Sequence, residues 1–418
     1  MFVAVALWLL PLAASAHVPV PPGVLNPQSA EEAWNVVRLS TANTARLLAE
    51  NRLSEIPEQI ALCSPALRAL PRWATGTPDA VRMAAVEAVQ SGVAVGSLAQ
   101  AGMAGDRELA ESALGSLREH LGKLGAAYDP KTVSADIYSC PMHPADISPD
   151  KEAHCPKCGM GLLLRRIAYS FVYVPPGEPS VVLSARTGQP LAAGQEAVVT
   201  LRLSRRDGSP VDTPDLLVMH TQPVHVLIVD PTLNDYHHEH PTPTGSPGEY
   251  RFTFTPARPT SYRLFADLVP VETGVQEYAS ADLPGAEQPP PAAPRADAFE
   301  AEAAGLRFRL DPGAGVAALR EGRACSLKVR VVHTDGQPMT ALEPVMNAYA
   351  HLVGFYDDAR TVVHLHPFGE EVTDANRRGG PELEFKFYPP RSGVIRLFCQ
   401  VQVGGRQVFA PFTVHVDP

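Results

Sequence analysis

The chain has 418 residues, 45% of them hydrophobic and 19% charged, which makes it globular material rather than a disordered chain. At ~150 residues per domain, that length predicts roughly two to four domains. Lys+Arg 35 against Asp+Glu 45 gives a net charge of −10 with no basic run, which argues against a nucleic-acid partner.

The chain opens on an apolar run, Phe2 to Leu10, followed by the small residues Ala14, Ser15 and Ala16. This predicts a signal peptide over 1–16, cleaved after Ala16, with an uncleaved anchor as the alternative. No later stretch reaches the ~18 apolar residues that a membrane helix needs. The mature chain is therefore expected to lack a transmembrane segment and to reside in a periplasmic or secreted, oxidising compartment. Cleavage there would leave His17 first, with an amine and a ring to offer one copper ion.

Residues 28–128 predict a four-helix bundle. Ser29 with Glu32 three residues later is a capping box that opens the first helix, running to about Leu53. Ile56, Ile60, Cys63, Leu67 and Leu70 mark one face of a second, with Pro65 expected to kink it. Thr77-Pro78-Asp79 starts a third helix through Val81, Val86 and Val89. Asp106 starts a fourth, with Leu114, Leu117, Leu121 and Leu124 at heptad spacing. Cys63 falls on the core stripe and reads as a buried thiol.

Residues 135–165 form a short unit with the strongest chemical signal: Tyr138-Ser-Cys140-Pro-Met142-His143-Pro144, then Cys155-Pro-Lys-Cys158-Gly-Met160. The C-x-x-H and C-x-x-C pairs each aim two ligands at one point. Four N/S ligands suit tetrahedral zinc, and thiolates flanked by the thioethers of Met142 and Met160 also suit Cu(I). So few residues cannot bury enough surface to fold unaided, so metal binding would be part of folding. A disulfide between Cys155 and Cys158 is the alternative.

From about 170 the pattern changes to strands, and an internal repeat emerges. Asp207-Gly-Ser-Pro210 matches Asp335-Gly-Gln-Pro338, and Arg263-Leu-Phe265 matches Arg396-Leu-Phe398. His225 followed by His238-Glu-His240-Pro matches His351 followed by His364-Leu-His366-Pro. The spacing predicts two tandem immunoglobulin-like β-sandwiches, at 170–284 and 298–418. A Pro-rich linker, 285–297, is expected to hold them apart. Cys325 and Cys399 alternate with polar neighbours on an early and a late strand of the second copy, which predicts an inter-sheet disulfide, with two free thiols as the alternative.

A turn near Asp230 to Asp235 places His225 opposite His240, with His238 on the same face. The second copy does the same with His351, His366 and His364. Three imidazoles on one hairpin face fit copper or zinc, and Met219, His220 and Met346 stand close enough in sequence to add to a site. The competing reading is structural: strand histidines paired with backbone or carboxylates and present twice through duplication. The chain lacks G-x-S-x-G, H-E-x-x-H and Walker signatures, so no catalysis is expected.

At 135–165 the sequence resembles the heavy-metal-binding domain of copper- and silver-exporting P-type ATPases and of efflux adaptor proteins. The resemblance rests on the Y-x-C-P-M-H-P…C-P-x-C-G-M core and covers only this short stretch. It implies a copper-like ion held by Cys140, His143, Cys155 and Cys158, with Met142 and Met160 as candidates. No pump helices or phosphorylation motif follow, so pumping does not carry over. The tandem repeats resemble, more loosely, immunoglobulin-like domains of secreted bacterial metal-binding proteins. The resulting expectation is an exported copper-like binding protein that sequesters metal or hands it to an efflux-system protein. A zinc-stapled interaction protein and a copper oxidoreductase using the repeat histidines are the alternatives.

Overall fold

A computed structural model describes residues 26–167, 179–287, 296–313, 319–368 and 371–418. The proposed signal peptide, His17 and most of the Pro-rich linker lie outside the described residues. Among the described residues no helix is long and apolar enough to cross a membrane.

The N-terminal region is helical: Ala30–Ala49, the pair Ile56–Ala61 and Cys63–Ala69, then Pro78–Ala104 and Arg107–Gly125, with a last short turn at Pro130–Ser134. The starts are capped as their sequences dictate: Ser29, Thr77 and Asp106 each accept a hydrogen bond from the backbone N–H three residues on. Pro65 lies in the first turn of the Cys63–Ala69 helix, so the second segment breaks just ahead of it rather than merely bending. Leu114, Leu117 and Leu124 are buried as their spacing predicts.

The third long helix departs from expectation. Val86 and Val89 are exposed, and the buried face is a row of mostly small residues, Ala84, Ala88, Ser91, Ala94, Ala101 and Gly102, with Val95 and Leu98 among them. Close approach selects that face. A Cβ on Gly102 would sit 2.8 Å from the Leu53 carbonyl oxygen and 2.8 Å from Pro57 Cδ.

Three short strands follow, β1 (Tyr138–Ser139), β2 (Ile147–Ser148) and β3 (Leu163–Leu164), in the order β2-β1-β3. The first repeat contains β4 (Val181–Thr187), β5 (Ala197–Arg205), β6 (Val224–Val229), β7 (Tyr236–Glu239), β8 (Thr242–Pro243), β9 (Glu249–Phe254), β10 (Tyr262–Leu268) and β11 (Glu277–Leu283). The second contains β12 (Glu300–Ala303), β13 (Leu306–Asp311), β14 (Cys325–His333), β15 (His351–Tyr356), β16 (Val362–Leu365), β17 (Glu382–Phe387), β18 (Gly393–Val403) and β19 (Arg406–Val416).

The duplication is visible in the topology. Sheet β11-β10-β6-β7 matches β19-β18-β15-β16, and β4-β5-β9 matches β13-β14-β17. In each repeat two four-stranded sheets close on one core. Every residue of β6 and of β15 is buried, because each strand has a core on both faces. Val224, Val226 and Ile228 face the first repeat's own core. Leu227 and Val229 face the other way, onto Val353 and Phe355 of the second repeat.

The two repeats therefore pack sheet against sheet, with Tyr236, Phe265, Val362 and Phe398 completing the seam. The linker does not hold them apart: shared apolar surface on the two outer faces brings them together. The expected Cys325–Cys399 bridge is not formed. Both are free thiols: Cys325, the half-buried first residue of β14, lies 3.4 Å from the Phe387 carbonyl oxygen, and Cys399 is fully buried in the middle of β18.

Candidate metal centres

Cys140, His143, Cys155 and Cys158 converge so that their ligand atoms all lie within 4.8 Å of one another. The Cys140 and Cys158 sulfurs are 3.5 Å apart, and His143 Nδ1 is 3.7 Å from Cys140 Sγ and 3.5 Å from Cys155 Sγ. Metal–sulfur bonds of ~2.3 Å in a tetrahedron place sulfurs about 3.8 Å apart, so the donors fit such an ion.

Backbone turns make this geometry. Asp146 N–H donates to the His143 carbonyl (2.8 Å) and Gly159 N–H to the Cys155 carbonyl (2.8 Å). Gly159 holds φ at +76°, and a Cβ there would strike the Phe368 ring of the second repeat. Thiol donors from Cys140 and Cys158 hold the Cys155 thiol far below its ordinary value, so the cluster gives up one proton readily. Met142 and Met160 pack, partly buried, against the cysteines.

The two histidine groups lie in the seam between the repeats, not on an open hairpin face. Leu227 pairs with His238 and Val353 with His364, so continuing each register sets His225 opposite His240 and His351 opposite His366. Both groups have ligand atoms within 4.8 Å of one another. The wall around them is shared: the His238 and His364 rings are 5.2 Å apart, and His225 and His364 5.6 Å.

Hydrogen bonds set which nitrogen carries the proton in His225, His238, His351 and His364. His225 Nε2 is 3.0 Å from the Met219 carbonyl and His238 Nδ1 is 2.8 Å from Gln400 Oε1, so both of these nitrogens donate. Gln400 is itself oriented by donating Nε2–H to Gln407 Oε1 at 2.9 Å. A neutral imidazole has one N–H, so His225 Nδ1 and His238 Nε2 face each other at 3.2 Å with lone pairs only. His240 Nε2 is 3.1 Å from the same Nδ1.

The second group repeats the pattern. His351 Nε2 donates to the Val345 carbonyl (3.0 Å) and His364 Nδ1 to Asp267 Oδ2 (2.8 Å), leaving His351 Nδ1 and His364 Nε2 3.1 Å apart. Facing lone pairs repel unless a cation lies between them. Nitrogens bound ~2.0 Å from a tetrahedral ion stand about 3.3 Å apart, which is the spacing present. Burial pushes all six imidazoles below their ordinary pKa, His240 to about 4, so they are neutral and ligand-ready at pH 7.

Each brace comes from the other repeat. Asp267, on β10 beside His225, holds His364; Gln400, on β18 beside His351, holds His238. The sequence reading missed both. The signal was available: each stands two residues after the matched Arg-Leu-Phe. His220 joins the second group across the seam, its ring stacked on His366 at 3.5 Å between centroids. Met219 contributes its carbonyl, and Met346 adopts the same positive φ as His220 in the matching turn.

The heavy metal binding domain model matches residues 137–163. The model described as Domain of unknown function (DUF8832) matches 180–281 and 301–418, the two repeats. No curated protein matches the chain. Among solved structures, a β-glucuronidase from glycoside hydrolase family 2 is 9% identical, with 57% of this chain and 20% of that chain covered and a TM-score of 0.16. This chain thus spans about a fifth of that enzyme's length. A marsupial T cell receptor is 12% identical, covering 58% and 73% at a TM-score of 0.17. A DUF4785 family protein from Legionella pneumophila is 11% identical, covering 66% and 76% at a TM-score of 0.20. None of these structural likenesses carries a functional inference.

Proposed function

The chain belongs to the family described as Domain of unknown function (DUF8832), present here in two copies beside a heavy metal binding domain, and from that premise we propose that it binds soft metal ions, copper foremost, without catalysis. In this reading it acts outside the cytoplasm, sequestering metal or handing it to an efflux-system protein, and each repeat is an immunoglobulin-like sandwich. The observation that carries the proposal is the pair of facing imidazole lone pairs in both repeats, 3.2 Å and 3.1 Å apart with no proton to share. A structural role would leave one nitrogen of each facing pair as a donor. The Cys/His unit adds three thiol ligands and one imidazole, a donor set that favours Cu(I) or zinc over hard cations.

The test is elemental analysis of the reduced full chain offered copper and zinc together. Three ions per chain are expected, one lost in each of Cys155→Ser, His238→Ala and His364→Ala. A chain that retains no metal overturns the proposal.

One observation favours a second reading, a zinc staple. The Cys/His unit touches every other part of the molecule: Arg165 pairs with Glu32 of the helices, Gln276 N–H donates to the Pro141 carbonyl (3.1 Å), and Lys157 lies 5.0 Å over the Tyr388 ring. Zinc that Cu(I) cannot displace, with metal-free repeats, is the result that reading requires.

A further inference from the structure

The Cys/His unit and the second histidine group share a cleft of about 480 Å³, open to solvent past Gly161, Phe368 and Arg377. One wall carries Cys158, Met142 and Met160, and the other carries His220, His364 and His366. Every one of these six side chains bears a metal-binding atom of the soft or borderline kind. A smaller void beside it is lined by Met160, His220, His366 and the Asp267 carboxylate, among others. Nε2 of His220 and Nε2 of His366 are buried and lack a hydrogen-bond partner. Buried polar atoms are rarely left so, and two on one wall point to a ligand that visits them.

We propose that this cleft is a passage along which an ion captured by His351, His364 and His366 moves to Cys140, Cys155, Cys158 and His143 by ligand exchange, without dissociating from the protein. The inference rests on the metal-binding reading above. His220 and Met160 are the intermediate donors, one from the first repeat and one from the Cys/His unit. Direction follows from ligand type: a soft ion gains by exchanging imidazoles for thiolates. The ion keeps its charge throughout. The imidazoles it leaves are already neutral, and the thiols it joins release their protons to water. The histidine group thus captures and the thiolates retain.

Cobalt(II) is the probe, because only its thiolate-bound form shows sulfur-to-metal charge-transfer absorption. One equivalent is mixed with the metal-free, reduced full chain, and the absorption is followed in time. The expected trace is a first-order rise whose rate does not change with cobalt concentration, following an earlier imidazole-bound phase. Gly161 lines the cleft and is itself exposed, and a Cβ there meets nothing within 4 Å, so the backbone tolerates Gly161→Phe, whose ring is large enough to obstruct the cleft. That variant is expected to slow the rise about tenfold or more with the same final absorption. His220→Gln is expected to slow it as well. A rise that scales with cobalt concentration and is equally fast in both variants overturns the passage while leaving the metal sites standing. No thiolate absorption at all overturns the metal reading itself, and the passage with it.

Discussion

Asp267 and Gln400 occupy one position in the two repeats and do one job, each orienting the central histidine of the opposite group. Their chemistry differs. A carboxylate behind a ligating imidazole raises its basicity and favours a divalent cation, whereas an amide only orients the ring. Asp267→Asn is therefore expected to weaken zinc binding at His351, His364 and His366 by about 10- to 100-fold. Gln400→Glu should strengthen the first group, and site-resolved competition titration checks both; equal shifts at the two groups would dismiss the brace as the cause. The same burial makes the metal-free protein acid-sensitive. Buried histidines have folded pKa values below their unfolded ~6.5, so below that pH the unfolded chain binds more protons. Stability is full above pH 6.5 and falls as the pH drops towards about 4, the folded value for His220 and His240. Asp267, pushed up to about 6 by burial, opposes this over part of the range, but it is one group against seven imidazoles. Urea midpoints of the metal-free chain at pH 7, 6 and 5 should decline steeply, and saturating metal should delay the decline.

The hairpins show which parts of the fold the sequence makes legible. Period-two alternation and the Asp230–Asp235 turn were enough to set His225 opposite His240, because a two-stranded register has one free parameter and the turn fixes it. Asp230 locks that turn by accepting from the backbone N–H of Asn234 (2.8 Å) and Asp235 (2.9 Å). One glycine inserted after Asn234 should slip β7 by one residue, turn His238 to the opposite face and abolish metal binding by the first group alone. Two ions per chain instead of three is the expected result, and three would mean that the turn absorbs the insertion as a bulge. The helices were legible at their caps and on the Ile56–Leu70 and Leu114–Leu124 stripes, but not on the face of Pro78–Ala104. Val86, Val89 and Val93 in Pro78–Ala104 score as core by hydrophobicity, yet they are exposed, and alanine and glycine, with Val95 and Leu98, make the interface because small residues allow close backbone approach. The cross-repeat braces were the least legible part. They join strands more than 95 residues apart in sequence, and nothing local marks which sheet face meets the other repeat.

At the scale of the whole molecule, one buried ion pair ties the metal unit to the helices. Arg165, next after β3, and Glu32, in the first turn of the first helix, are 1% and 0% exposed at their side chains. Arg165 also donates to the Pro144 carbonyl at 2.5 Å, two residues from Met142, so it links the helical core to the C-x-x-H loop. Glu32 in turn accepts from the Gln28 N–H at 3.0 Å. Removing one partner strands a buried charge, which costs about 3–5 kcal/mol, whereas replacing both with apolar residues of similar size is near neutral. Arg165→Ala alone should lower the stability of the helical region by about that amount, read from urea unfolding followed at Trp34 and Trp73. Arg165→Met with Glu32→Leu should recover most of it. The comparison separates two roles for the pair. If the double variant regains stability and still loads the Cys/His unit with metal, the ion pair is a tether that apolar contact can replace. If it regains stability but loads metal poorly, the Arg165 bond to Pro144 is what holds the C-x-x-H loop in ligating shape, and the helices serve as the platform on which that loop is set.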